Sequence, residues 1–150
     1  MQIRKLYLQE EPPWHLLLLA DPSKELVQSY LKYGECYVAE DETEVIGEFV
    51  LLPTRPGTVE IVNVAVVENQ QGRGLGKQLL RAAINIAKSR KYKTVEIGTG
   101  NSSIGQLYLY QKCGFRINGV DKDFFIKHYT EEIFENGIQC RDMIRLSLEI

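Results

Sequence analysis

The clearest pattern in the chain starts at Thr58: an apolar run TVEIVNVAVV, the glycine-rich ENQQGRGLG, then KQLLRAAINIAKSR. It predicts a buried strand, a turn and a long amphipathic helix. Leu75, Leu79, Leu80, Ala83, Ile84 and Ala87 fall on one face of that helix, and Lys77, Gln78, Arg81, Asn85 and Lys88 on the other. Upstream, Gln2 to Leu8 alternates as a first strand, and Trp14 to Ala20 is a short apolar helical piece. Asp21 is placed to cap a second helix with Pro22 at its first position. Cys36 to Glu40 and Val45 to Leu52 pair around an acidic turn, and PTRPG leads into the strand at Thr58, so three strands form an antiparallel meander. After the long helix come a strand from Thr94 to Ile97, a turn from Gly98 to Ser103 and a helix from Ile104 to Lys112, ended by Gly114. A strand follows from Arg116 to Val120, and Ile138 to Ile150 reads as the last strand. Asp121 to Gly137, aromatic and acidic, matches no single element. The order βααβββαβαββ predicts one α/β domain over residues 1–150 with a mixed sheet.

Composition narrows the function. A net charge of -2 gives no global reason to expect nucleic acid as a partner. The charge is uneven, however. From Gln70 to Thr94 there are seven Lys and Arg residues and no acid, whereas Asp121, Asp123, Glu131, Glu132, Glu135 and Asp142 make the C-terminal part acidic. Such a split suits an anionic ligand beside a cationic one, but taken alone it reads first as two solvated faces. Cys36, Cys113 and Cys140 are odd in number, widely spaced and without a CxxC, and with only His15 and His128 to add they indicate neither a disulfide framework nor a metal site. The longest apolar run, Leu16 to Ala20, is too short to span a membrane, and no signal peptide precedes the first strand. The expected setting is the cytoplasm, with reduced thiols.

The glycine turn after a strand and before a helix is a phosphate cradle, because helix-initial N–H groups lack carbonyl partners. Spacing decides which kind. A Walker loop needs GxxxxGK and then Ser or Thr; Gln71 lies five before Gly76, and Gln78 follows Lys77. A dinucleotide loop needs GxGxxG, but Gly72, Gly74 and Gly76 are spaced by two and Lys77 follows. What remains, Gln71-x-x-Gly74-x-Gly76 after EIVNVAV, closely resembles the pyrophosphate loop of the GNAT superfamily of N-acetyltransferases. Tyr110 four residues before Gly114-Phe115 is similar to the same family's YxxxGF. The resemblance covers the whole chain. It implies a single-domain GNAT-like fold with about seven strands in a mixed central sheet and about four flanking helices.

The resemblance also implies acetyl-CoA as co-substrate and direct attack by a primary amine in a ternary complex. The cofactor-binding residues it marks are Val64 and Val66 through their backbone, and Gln71, Gly72, Arg73, Gly74, Gly76 and Lys77 around the phosphates. Ser103 stands where the family has a coenzyme-contacting asparagine, seven residues before Tyr110, and Asn101 lies two residues earlier; one or the other is the expected contact. Tyr110 is implied as the general acid for the leaving thiolate, while Tyr108, on another face, is expected to pack. Glu60, opening the strand before the loop, corresponds to the glutamate that relays a proton in the histone-acetyltransferase branch; a solvent-facing strand residue is the equal alternative. Glu48 and Glu96 are weaker candidates. No metal is called for.

The acceptor is less legible. Glu10, Glu11, Asp121, Asp123, Glu131 and Glu132 favour a cationic small molecule. A protein lysine or N-terminus, or a non-catalytic acyl-CoA-binding module, are the alternatives. Phe124, Phe125, His128 and Tyr129 either line the pocket or pack a C-terminal hairpin, in a homodimer against a second subunit. No nucleic acid or membrane partner is expected.

Overall fold

The apolar alternations pair into a sheet because each strand can bury one face only against the helices that its neighbours carry. The computed structural model describes residues 1–150. Strands β1 (Gln2–Lys5), β2 (Glu35–Asp41), β3 (Glu44–Arg55), β4 (Thr58–Val66), β5 (Thr94–Gly100), β6 (Arg116–Asp121) and β9 (Met143–Glu149) form one sheet in the order β1-β2-β3-β4-β5-β9-β6. All neighbours are antiparallel except β4 and β5. The long helix α3 (Leu75–Ser89) joins those two, as a parallel crossover requires. Helices α1 (Trp14–Ala20) and α2 (Lys24–Leu31) follow β1, and α4 (Ile104–Lys112) follows β5.

The larger core lies on the α3 side, where Phe49, Ile61, Val95, Ile97 and Leu146 of the sheet meet Leu79, Leu80 and Ala83 of α3. Its helix stripe is the predicted one. A smaller core on the opposite face joins Leu17 of α1, Val27 of α2, Cys36 of β2 and Val50 of β3.

One irregularity shapes the rest. Val50 pairs with Asn63 and Leu51 with Ile61, so Val62 is an extra residue in β4. A bulge of this kind puts two successive side chains on one face and bends the strand. Ile61 accordingly faces α3, while Val62 packs in the smaller core and Asn63 hydrogen-bonds α1 and α2. Pairing of β4 with β5 stops there: it covers only Thr58–Ile61 against Thr94–Ile97. Beyond it the two strands part, and β5 continues on β9 alone.

Several boundaries differ from the pattern. The first strand ends at Lys5 because Glu10 accepts hydrogen bonds from Arg4 and from the Tyr7 N–H, pulling the chain away. The second helix is capped by Ser23, whose hydroxyl accepts from the Leu26 N–H at 3.2 Å, and not by Asp21. The last strand is broken: Asn101 Oδ1 accepts from the N–H groups of Arg141 and Asp142, which keeps Cys140–Asp142 out of any ladder. The unassigned stretch folds as a one-turn helix α5 (Phe124–His128) and a small hairpin of β7 (Phe134–Glu135) with β8 (Ile138–Gln139). No helix is long and apolar enough to cross a membrane.

Arg4 holds the Glu10 carboxyl down to about 2, by a two-pronged hydrogen bond of 2.8 and 3.0 Å, with the Tyr7 N–H assisting. A carboxyl depressed in the folded state adds stability above its unfolded value of about 4.3 and loses it as pH falls towards the folded value. Arg4→Met should therefore cost stability at neutral pH, and its deficit should shrink as pH falls from about 4.3 towards the folded value. Urea unfolding midpoints against pH check this; a deficit that stays constant down the acid limb would sink it.

Candidate active site

The parting of β4 from β5 leaves one edge of β4 without a neighbouring strand, and the glycine turn lies at its end. Gly72 and Gly74 adopt φ of 79° and 82°, the left-handed region that a side chain disfavours. Gly74 is the residue before α3, and Gln78 bonds back to its carbonyl at 3.2 Å. The N–H groups of Leu75, Gly76 and Lys77 therefore have no carbonyl ahead of them, and the helix dipole adds to their pull on an anion. Gly76 serves differently: a Cβ there would stand 3.2 Å from Leu109 Cδ2, so it allows α3 to approach α4. Gln71 donates to the Val66 carbonyl at 3.0 Å, tying the turn to β4.

A cleft of about 630 Å³ runs from this turn along β4 to α4. Among its walls are Val64, Val66, Gln71, Gly72, Gly74, Gly76, Lys77 and Tyr110. Arg73 is not in that wall; its guanidinium turns to Gln70 Oε1 at 3.4 Å. Tyr108, expected to pack, instead lines the cleft with two-thirds of its surface exposed and Lys112 over its ring at 5.8 Å.

A second cavity of about 350 Å³ opens between the parted strands, with Ile61 to Val64 on one side and Gly98 to Gly100 on the other. The two cavities share Leu19, Ala20, Val64, Gln106 and Tyr110. Tyr110 thus stands where they meet. Its hydroxyl stays protonated far above neutrality, chiefly because it is buried.

Two carboxylates line the second cavity, and neither is in an ion pair. Asp21 accepts hydrogen bonds from Tyr129 Oη at 2.7 Å, Tyr30 Oη at 3.3 Å and the Ser23 N–H at 3.1 Å. Glu135 accepts from Ser103 Oγ at 2.7 Å and Ser102 Oγ at 3.3 Å. The sequence reading missed both as pocket residues, because Asp21 resembles a helix cap and Glu135 lies in the unassigned stretch. The acids it chose lie outside the cavity wall: Glu10 pairs with Arg4, Asp121 with Arg145 and Asp123 with Arg141, and Glu11, Glu131 and Glu132 are exposed.

Phe125 and Tyr129 line the second cavity, with Phe124 packed on both. Ser103 belongs to this cavity and not to the long cleft. Asn101 reaches neither: its amide donates to the Gln139 carbonyl as well as accepting from Arg141 and Asp142. Glu60 lies in the part of β4 that is still paired, opposite Glu96, with Arg145 at 4.0 Å, and it lines neither cavity. Burial raises its pKa, against the pull of Arg145.

A phosphate turn at the head of a helix, beside a splayed strand pair, is the arrangement that the resemblance to N-acetyltransferases implies. The chain belongs to the Acetyltransferase (GNAT) family, whose model matches residues 2–115. It is similar to the uncharacterized N-acetyltransferase YvbK of Bacillus subtilis, with 60% identity over all of this chain and 99% of that protein. Among solved structures, a GNAT family acetyltransferase from Elizabethkingia anophelis with acetyl-CoA bound matches at TM-score 0.98 and 52% identity, over 99% of this chain and 97% of the other. The IAA acetyltransferase from Bacillus cereus matches at TM-score 0.96 and 54% identity, over 99% of both chains.

Gly74→Ala has room for its methyl but must hold the left-handed region, at a cost of about 1–2 kcal/mol. Coenzyme A binding should weaken by about tenfold, read by titration calorimetry. Gly119→Ala, equally open and at ordinary φ, serves as control. Unchanged affinity in Gly74→Ala would separate the turn from the phosphates.

Proposed function

We propose that the protein transfers the acetyl group of acetyl-CoA to a primary amine on a cationic small molecule, both substrates being bound together. The observation that carries this is the meeting of the two cavities at Tyr110, the second holding Asp21 and Glu135 free of any protein cation. Acetyl-CoA takes the long cleft: its diphosphate lies on the turn and the start of α3, near Lys77. Its pantetheine arm lies along the free edge of β4, as an added strand would. There Val64 serves the thioester carbonyl and Val66 the pantetheine amide.

The acceptor arrives largely as an ammonium, since its pKa is about 10. Asp21 and Glu135 hold its positive charge. The free amine, its ammonium proton lost to solvent, attacks the thioester carbon; the nitrogen gives a second proton to solvent, and the tetrahedral oxyanion collapses by expelling the coenzyme A thiolate. Tyr110 gives that sulfur a proton. Cys140 also lines the acceptor cavity, but burial pushes its thiol up and leaves it a poor nucleophile, which supports direct attack over an acetyl-enzyme.

Release of free thiol from acetyl-CoA, followed over diamines, polyamines, aminoglycosides, lysine peptides and IAA, tests the reading. Diamines or polyamines should turn over, with intersecting initial-rate lines. Turnover of IAA or peptides alone overturns the cationic small-molecule acceptor, and coenzyme A binding without turnover makes the protein a binding module.

Tyr110→Phe should lower kcat by about a hundredfold at nearly unchanged coenzyme A affinity. Wild-type turnover would remove Tyr110 from the mechanism. Asp21→Asn keeps the side-chain shape and removes the charge, so KM for a diamine should rise by about tenfold. No change in KM would place the ammonium elsewhere.

A further inference from the structure

Glu48 is the one acid in the protein with no exposed surface, and neither carboxyl oxygen has a hydrogen-bond partner. It sits on β3 between Val38 of β2 and Ala65 of β4. Val50, two residues on, marks its face as the one covered by α1 and α2. Leu16 and Leu17 of α1 are apolar, so the helix above offers no counter-charge. The titratable groups in electrostatic reach are Tyr30 of α2, Cys36 of β2 and Tyr110 of α4, each held neutral by burial. No cation acts on Glu48, and burial alone raises its pKa well above the usual carboxylate range. An isolated buried carboxylate would be far costlier than the acid.

The third buried polar side-chain atom without a partner is Asn63 Oδ1. Val50 pairs with Asn63 and Glu48 with Ala65, so Glu48 and Asn63 are diagonal neighbours on one face, about 7–8 Å apart at Cα. That separation fits one bridging water, and the three atoms supply the polar partners such a water needs. The other end of the amide is engaged: Asn63 Nδ2 donates to Tyr30 Oη at 2.8 Å and to the Leu17 carbonyl at 3.0 Å. Tyr30 Oη donates onward to Asp21 Oδ2. From Asn63 to Tyr30 and from Tyr30 to Asp21 the hydrogen bonds both donate towards Asp21, the carboxylate in the acceptor cavity.

We propose that Glu48 is a positioning residue that works as a neutral carboxylic acid, donating through one enclosed water to Asn63 Oδ1. This sets the direction of the Asn63–Tyr30–Asp21 chain. The O–H of Glu48 donates to the water, and the water donates to Asn63 Oδ1. The amide then presents Nδ2 to Tyr30, whose hydroxyl hydrogen is left for Asp21. Asp21 is thereby kept as a fixed acceptor of hydrogen bonds. Neutrality of Glu48 also spares Tyr110, because a carboxylate nearby would oppose the tyrosinate that forms when Tyr110 protonates sulfur. The proposal rests on the second cavity's being the amine site.

The test uses the full chain with 1,4-diaminobutane as probe. At neutral pH, the infrared difference between wild type and Glu48→Gln should contain the carbonyl band of a protonated carboxylic acid; carboxylate bands in its place would overturn the proposal. Glu48→Gln retains a donor and an acceptor, so KM for the diamine should change by no more than about threefold, against tenfold or more in Glu48→Leu, with coenzyme A affinity unchanged in both. A collapse of kcat in Glu48→Gln at constant KM would make Glu48 an ionised base and refute the neutral role. Nitrogen-15 NMR of the Asn63 side-chain amide gives a readout independent of turnover. Its protons should exchange slowly in wild type and Glu48→Gln and rapidly in Glu48→Leu; equal exchange in all three would overturn the link to Asn63. If Glu48→Leu does not fold, the infrared band and the Glu48→Gln kinetics still decide. If wild type acetylates no amine, the acetyl-transfer reading fails, while the band and the amide exchange still judge the neutral acid and its link to Asn63.

Discussion

The extra residue at Val62 is the constraint on which the structure depends. A strand that kept strict alternation through β4 would present its side chains in register to β5, and the sheet would close. The bulge turns two consecutive side chains to the α1 face and directs the rest of β4 away from β5. Two consequences follow from one distortion. The far edge of β4 is left with backbone groups that no strand satisfies, and a gap opens between β4 and β5. The first suits an extended ligand that can pair as a strand, and the second admits a partner molecule from the other side. Tyr110, carried in by α4, lies where both spaces meet.

The protein treats negative charge in three ways within this small region. At the glycine turn it offers backbone donors and a helix start to an anion it does not itself carry. At Asp21 it surrounds its own carboxylate with two tyrosine hydroxyls and a backbone N–H, and leaves it facing a cavity. At Glu48 it encloses a carboxyl with neither cation nor donor, which favours the uncharged acid. The contrast is one of solvation: hydrogen bonds and open space compensate a charge at Asp21, whereas nothing compensates one at Glu48.

The C-terminal segment completes the second cavity by hydrogen bonds more than by sheet pairing. Asn101 fastens Gln139, Arg141 and Asp142, and Asn136 donates to the Ser102 carbonyl, which sets Glu135 over the start of α4. Loops tied this way keep polar side chains in defined places without a large apolar area. The same ties engage both ends of the Asn101 amide, one of the two residues that the family resemblance offers as a coenzyme contact.

The amino-acid sequence by itself determined the features whose causes are local. Alternation and helical spacing placed most of the strands and the long helix, and the glycines at 72, 74 and 76 with Tyr110 pointed to the family and to the cleft. These depend on backbone conformation and hydrogen bonding over a few residues, which spacing records. Tertiary structure alone decided which side chains the cavities receive. Arg73 is near the turn in sequence yet points to Gln70, and Glu60 belongs to the right strand but to its closed half. Asp21 has the sequence context of a helix cap, yet Tyr129, 108 residues away, donates to it. The pairing of residues so far apart is set by how sheet, helices and hairpin pack, and no short-range pattern encodes it.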